Sequence, residues 1–357
     1  MKNYLIPARA ADNKDTAIFE KFIYGFNAQL NEEDIVLLSF FFDKNNLFTS
    51  SKYYTKYKLN LMRNLYILNE IKNIYSQCIA EKTEVPAILK GGAYLYKIYS
   101  DSYGCRYIND IDLLAFTPEH RNRLEKILFS CGYVKGSDYI ETYEKNNIKI
   151  DLHTELLNSN RIRWRKNFFK IQNLRDEMIE KDGFLTLNND TDFIYCLLHS
   201  AIHHGFQGFK WLVDSTLFIK KKLVYPEPIY LKTEKYHVTD QIRFCLTFAD
   251  NFFSLSEEWK KTFSLPYKKK LILKMIDSKS SENMQYYINF IFSGNLEKIW
   301  LLYDLFFPKL KTLRLRYNRN YSIVKLYSAH YVKILKSFIS LKKFFLPRFN
   351  PKTAIDL

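Results

Sequence analysis

The stretch RYINDIDLLAF, residues 106–116, decides how the chain is read, because two acids interrupt an apolar run at positions two apart. Apolar residues at 111 and 113–116 point to a short buried strand. Side chains alternate along a strand, so Asp110 and Asp112 share one face. Like charges that close repel, and at the rim of a buried strand they are costly unless a cation neutralises them. The pattern returns in IKIDLH, residues 148–153, where Asp151 stands between Ile150 and Leu152. Asn146 and Asn147 tolerate the left-handed backbone of a tight turn, so 139–143 and 148–152 are predicted to be the arms of a hairpin. If the acid-bearing strands are neighbours, Asp110, Asp112 and Asp151 form a cluster able to hold two metal ions about 3.5–4 Å apart, an arrangement for in-line phosphoryl or nucleotidyl transfer. Mg²⁺, a hard cation that prefers oxygen, is the expected ion.

Upstream, VPAILKGGAYLYKIY (85–99) carries adjacent glycines, Gly91 and Gly92, in a chain with 10 glycines among 357 residues, below the usual roughly 7%. Pro86 breaks the preceding pattern, 87–89 is apolar, and a helix is predicted over 93–100. Glycines at a helix start admit an anion close to main-chain N–H groups, where the helix dipole favours phosphate. An ordinary tight turn is the other reading. A helix over 118–131 opens on Pro118 and ends at Gly132.

Taken in order, the glycine pair, the helix, the Asp-x-Asp strand and the later lone Asp resemble the nucleotidyltransferases of the DNA polymerase beta-like superfamily. The chain looks most like a bacterial family described as uncharacterised nucleotidyltransferases. The likeness is carried by KGG (90–92), DIDLL (110–114), CGY (131–133) and IDLH (150–153), and it extends to 192–219 and 306–327, so that it spans residues 59–340. The resemblance implies that Gly91 and Gly92 hold a nucleoside triphosphate while Asp110 and Asp112 bind the metals that bridge it. Asp151 would ligate the catalytic metal and take or orient the proton of an acceptor hydroxyl, which attacks the α-phosphorus and expels pyrophosphate. Lys90 and Arg106 would offset phosphate charge or stand as solvated cations. His153, on the same strand face as Asp151, would orient a carboxylate or contact nucleotide. Seventeen residues separate Gly92 from Asp110, more than in compact members, with 100–109 as the insertion. His199 and His203 have metal-ligand spacing, but Ser200 removes the HExxH glutamate. They are expected to face the cleft or the core together with Trp211 and Asp214.

The expected fold class is α+β. A small mixed-sheet nucleotidyltransferase core occupies 85–156, between a helical N-terminal segment (1–84) and a large helical C-terminal region (157–320) followed by a basic amphipathic tail (321–357). Asp15 and Asn31 are predicted helix N-caps, and one long helix is predicted over 50–80 with Leu61, Leu65, Leu68, Ile71 and Tyr75 on its apolar stripe. Residues 181–183 and 226–228 are read as breaks between later helices. The five cysteines are scattered without a CxxC pair, which points away from a disulfide framework or thiolate zinc site and toward a reducing compartment. The chain opens without an apolar signal region, and the apolar stretch 35–42 is too short for the roughly 20 residues of a membrane span. A cytoplasmic protein, or one peripheral to a membrane, is expected.

The net charge of +16 is uneven: residues from Trp259 onward carry 20 Lys and Arg against five acids, leaving only +1 for the first 258. In the tail, Val324, Tyr327, Tyr331, Leu335 and Phe338 form one helical stripe, and Lys325, Lys336 and Lys343 another. Such a helix packs on its neighbours, or lies on an anionic membrane surface or nucleic acid. The leading reading is a Mg²⁺-dependent enzyme moving NMP from NTP to a small-molecule, sugar, protein or RNA hydroxyl. The other is a catalytically weak protein of the same fold that binds through its basic tail.

Overall fold

The computed structural model describes residues 36–37, 51–136, 141–157, 174–204, 210–250, 253, 255–264, 288, 290–293, 295–310, 313–314, 317 and 320–345. The caps expected at Asp15 and Asn31 lie outside them. The chain divides into two compact units, Met1–Ile288 and Asn289–Leu357.

The first unit is built on a mixed sheet. Helix α1 (Ser51–Ala80) leads to β1 (Ala87–Leu89), which runs directly into α2 (Lys90–Lys97). Strand β2 (Asp110–Leu114), helix α3 (Pro118–Ser130), β3 (Val134–Lys135), β4 (Thr142–Lys145) and β5 (Ile148–His153) follow, then β6 (Met178–Lys181) and β7 (Phe184–Leu187). Helices α4 (Asn189–His204), α5 (Lys210–Lys220), α6 (Pro226–Lys235), α7 (Thr239–Asp250) and α8 (Glu257–Thr262) follow, and short 3-10 turns lie at Tyr103–Cys105 and Arg175–Glu177. The strand order is β3-β4-β5-β2-β1-β7-β6. This is the α+β architecture expected, with the two acid-bearing strands adjacent and parallel in the middle of the sheet.

Local chemistry sets the turns. Asn146 (φ 47°) and Asn147 (φ 64°) both adopt left-handed backbone between β4 and β5, the geometry that matches strand twist in a two-residue hairpin. Asp182 (φ 54°) and Gly183 (φ 79°) repeat it between β6 and β7. Residues 181–183 were expected to separate helices; they turn a hairpin instead. Strand β7 lies parallel to β1, with Ile88 opposite Thr186, and the Thr186 hydroxyl donates to the Ile88 carbonyl at 3.0 Å. Two four-residue strands leave little periodic trace in sequence, and it is this long-range partner that makes them strands.

Helix α1 spans nearly the predicted residues, but its N-terminal half buries a different face. Leu65 is 48% exposed while Asn60 and Asn64 are buried. Asn64 Nδ2 donates to the carbonyls of Tyr103 and Arg106, both at 2.6 Å, and Arg63 Nε donates to the Ile108 carbonyl at 3.0 Å. These side chains hold down the irregular loop before β2, satisfying carbonyls that apolar residues would leave unpaired. The apolar stripe resumes at Ile67, Ile71, Ile74 and Cys78.

Beyond the sheet, Glu177 ties the β6–β7 end to α4 and α6. Its carboxylate accepts from Lys232 Nζ (2.6 Å), Asn188 Nδ2 (2.6 Å), Tyr236 OH (2.9 Å) and Thr191 Oγ1 (3.1 Å). Burial pushes this carboxyl up, but the Lys232 and Asn188 hydrogen bonds and the Lys232 charge outweigh it and bring it down to about 2.

In the second unit, α9 (Asn295–Phe306) and α10 (Ile323–Phe345) are the main described elements. Helix α10 buries Leu326, His330 and Ile334. Its polar groups sit on the last two carbonyls of α9 and on that of Pro308, two residues past its end: His330 Nε2 lies 2.7 Å from Leu305 O, Tyr331 OH donates to Phe306 O at 2.9 Å, and Tyr327 OH to Pro308 O at 3.0 Å. Satisfying these orphan carbonyls fixes which side turns inward. The stripe expected to pack meets α9 only through the Tyr327 and Tyr331 hydroxyls, while its aliphatic members Val324 and Leu335 face outward; the Phe338 side chain lies outside the described residues. Among the described residues no helix is long and apolar enough to cross a membrane.

The Glu177 network carries a pH signature. A carboxyl whose folded value is depressed stabilises the fold above its unfolded value and loses that contribution as pH falls toward the folded one. Glu177→Gln should therefore cost about 2 kcal/mol near pH 7, the gap to wild type closing as pH falls from about 4 toward 2; urea unfolding across that range measures it.

Candidate active site

Strands β2 and β5 pair in parallel register with Asp112 opposite Asp151 and Asp110 opposite Lys149. Asp112 is 4% exposed. Its Oδ1 receives Lys90 Nζ at 2.6 Å and lies 2.7 Å from His153 Nε2. Burial pushes the Asp112 carboxyl up, but the Lys90 ammonium and the His153 hydrogen bond prevail and hold it well below the usual carboxylate range. Asp151 Oδ1 accepts from Thr142 Oγ1 at 2.7 Å. Ligand atoms of Asp112, Asp151 and His153 all lie within 4.8 Å of one another, the sole such group of three or more His, Cys, Asp or Glu among the described residues.

Asp110 stands outside that group, two residues along the same face of β2. Burial, the Asp112 charge and the Asp151 charge raise its carboxyl to about 6, with Lys90 and Arg106 pulling the other way. The compact set thus contains His153 where three carboxylates were expected, with Asp110 at its margin.

Gly91 and Gly92 occupy the first turn of α2. A Cβ on Gly91 would meet Ile108 Cδ1 at 2.8 Å, and one on Gly92 would meet Ile88 Cγ2 at 2.9 Å. The pair lets the helix sit directly on β1 and on the loop leading into β2. The left-handed backbone falls on Lys90 instead (φ 49°), a conformation that costs a non-glycine residue about 1 kcal/mol. The chain turns there from strand to helix, and the Lys90 side chain reaches the adjacent strand.

Arg106 lies beside this turn with its charge already matched. Its Nε is 3.2 Å from Asp214 Oδ1 and its Nη2 3.1 Å from Asp214 Oδ2, while Tyr99 OH donates to the same carboxylate at 2.7 Å. Asp214, on α5, is 2% exposed. A second buried pair, Lys97 with Asp192 at 2.5 Å, fastens α2 to α4.

On α4, the His199 and His203 rings stack at 4.7 Å, and His199 Nε2 lies 3.0 Å from His204 Nε2. Burial first, then the charges of Lys90, His203, His204 and His153, push His199 well below its ordinary value. These histidines flank the carboxylate site without joining its ligand group. Thr142 and Tyr99 were not singled out in the sequence. For Thr142 a signal existed: a two-residue turn at 146–147 pairs Lys145 with Ile148, and counting outward sets Thr142 against Asp151.

A mixed sheet thus sets paired carboxylates on parallel neighbours, fed by a strand that turns through a Lys-Gly-Gly helix start. The chain belongs to the family described as uncharacterised nucleotidyltransferase, whose model matches residues 50–254. It is accordingly an enzyme transferring phosphorus-containing groups, with a nucleoside triphosphate as substrate. The match covers the described sheet and α1–α7 but stops short of 306–327, the later segment in which a likeness was read. No curated protein and no solved structure matches the chain.

The glycine contacts make a reciprocal test. Gly91→Ala should destabilise by about 1–3 kcal/mol through overpacking. Ile108→Val, which deletes the opposing Cδ1, should restore most of that loss when combined with it, as read from urea midpoints of the two single variants and the pair.

Proposed function

We propose that the enzyme moves a nucleoside monophosphate from its triphosphate to an acceptor hydroxyl, with Asp112 and Asp151 holding a divalent cation. The observation that carries this is the parallel register of β2 and β5, which sets the two carboxylates side by side. The residues fit such an ion: two hard oxygen donors lie within the span one cation bridges. Mg²⁺ suits this set, and Asp110, farther along the same face, extends the row of carboxylates for a second ion. An ion held there would supply Lewis-acid neutralisation of the charge developing in the transfer.

The chain's own groups supply the rest. Asp112, kept ionised by Lys90 and His153, is ready to ligate at any physiological pH. His153 faces Asp112 Oδ1 at hydrogen-bond distance and acts as an orienting donor to the ligand rather than as a ligand itself. Thr142 occupies Asp151 Oδ1, and the other oxygen of Asp151 takes the proton of the acceptor hydroxyl. That hydroxyl oxygen bonds the α-phosphorus as the bond to the bridging oxygen of the β-phosphate breaks, and pyrophosphate departs. Lys90 holds Asp112 Oδ1 and would have to yield that oxygen to a cation; its ammonium, on the residue before Gly91-Gly92, would then be free to offset the charge of a triphosphate at that turn. Arg106, paired with Asp214, braces that turn.

Calorimetric titration with Mg²⁺ and non-hydrolysable NTP analogues tests this reading. Wild type should bind nucleotide only with metal, and Asp112→Asn or Asp151→Asn should abolish that binding in a folded protein. His153→Gln should weaken metal affinity about 10–100-fold. Lys90→Met should tighten metal binding in the absence of nucleotide while weakening binding of the metal–nucleotide complex. Metal-independent nucleotide binding, unchanged by Asp112→Asn, would overturn the assignment.

A further inference from the structure

Three arcs run around α10. One is buried, formed by Leu326, His330 and Ile334. The second is apolar yet open to solvent: Val324 is 77% and Leu335 61% exposed, with Tyr331 between them on the same stripe. The third, next around the helix, carries Lys325 and Lys336, both exposed and eleven residues, or about three turns, apart. No acid occurs anywhere in this helix.

Helix α9, tied to the stripe by Tyr331, carries exposed aromatic residues of its own. Tyr331 OH reaches the Phe306 carbonyl, and from that end of α9 an exposed aromatic row runs back through Phe307, Tyr303 and Trp300, their ring centroids 5.3 and 6.0 Å apart in succession. The unit containing both helices, Asn289–Leu357, holds 13 Lys and Arg against three acids.

We propose that this face of the second unit docks on an anionic lipid bilayer, lying in the headgroup region without crossing it. An exposed aliphatic stripe flanked by lysines is the pattern of an interfacial helix: the apolar arc enters the acyl boundary while ammonium groups meet lipid phosphates. Tyrosine and tryptophan favour the same depth, with ring bodies in the apolar layer and polar tips in water. Charge complementarity selects an anionic surface. A nucleic acid would use the lysines and could stack on the aromatics, but it offers nothing to Val324 and Leu335, whose exposure to water is unfavourable until an apolar phase covers them. The enzyme would then work at a membrane surface, and an acceptor presented there would share that location.

The experiment is co-sedimentation of the full chain with vesicles of one part phosphatidylglycerol to two parts phosphatidylcholine, against phosphatidylcholine alone. Binding to the anionic vesicles only is expected, weakening as salt is added. The double variant Lys325→Gln, Lys336→Gln should bind about 25-fold more weakly, roughly fivefold per lysine, and Val324→Ser with Leu335→Ser should also lose binding. The control, Arg123→Gln with Lys126→Gln, removes the same charge from exposed positions on α3 of the first unit and should leave affinity unchanged. All these side chains are exposed, so circular dichroism and unfolding midpoints should match wild type. Four outcomes would overturn the proposal: no binding to either vesicle, equal binding to both, a control that falls as far as the lysine variant, or capture of an RNA oligonucleotide without capture of vesicles.

Discussion

A carboxylate buried in the middle of a sheet must be neutralised where it stands, and Asp112 imposes that requirement on everything around it. Its neutraliser, Lys90, reaches it from a left-handed backbone position at the junction of β1 and α2. For the junction to turn so sharply, α2 must lie against β1 and the loop before β2, which leaves no room for a Cβ at Gly91 or Gly92. The loop must in turn be fixed, and α1 does this through Asn64 and Arg63 while Asp214 and Tyr99 hold Arg106. The glycine pair, the lysine before it, the clamp by α1 and the brace from α5 are successive consequences of one buried charge. The same charge serves the proposed metal site, which requires an ionised carboxylate held by removable or orienting donors.

Much of this was legible in order along the chain. The alternation in RYINDIDLLAF placed two acids on one strand face, and the Asn146-Asn147 turn gave the hairpin that carries Asp151; both are physical constraints visible within ten residues. What pairs β2 with β5 in parallel is not local: along the chain their adjacency stood only as a condition, and the parallel sense was not anticipated. Lys90 and Arg106 shared one description in the sequence, that of cations near phosphate. The fold separates them: the first is pinned to a candidate metal ligand, the second to a carboxylate on a helix more than a hundred residues later.

Where the sequence misled, a polar contact outweighed an apolar pattern. In α1, Asn64 faces inward because loop carbonyls need a donor there, so Leu65 turns out. In α10, His330 and the hydroxyls of Tyr327 and Tyr331 satisfy carbonyls at the end of α9, and the aliphatic members of the tyrosines' own stripe, Val324 and Leu335, are left facing water. Periodicity measures how apolar residues are spaced; it does not register which face holds the hydrogen bonds that a neighbouring element requires. Strands β6 and β7 escaped for a related reason: four residues with a distant partner leave no periodic signal of their own.

That distant partner sets the order in which the enzyme can be assembled. Ile88 finds Thr186 only 98 positions later, so during synthesis β1 has its neighbour β2 on one side and an open edge on the other until β7 emerges. An open edge invites pairing with another chain. The stretch that holds every proposed catalytic group is therefore not a self-sufficient fragment: cut after β5, it would retain its carboxylates and expose a strand edge primed to recruit copies of itself.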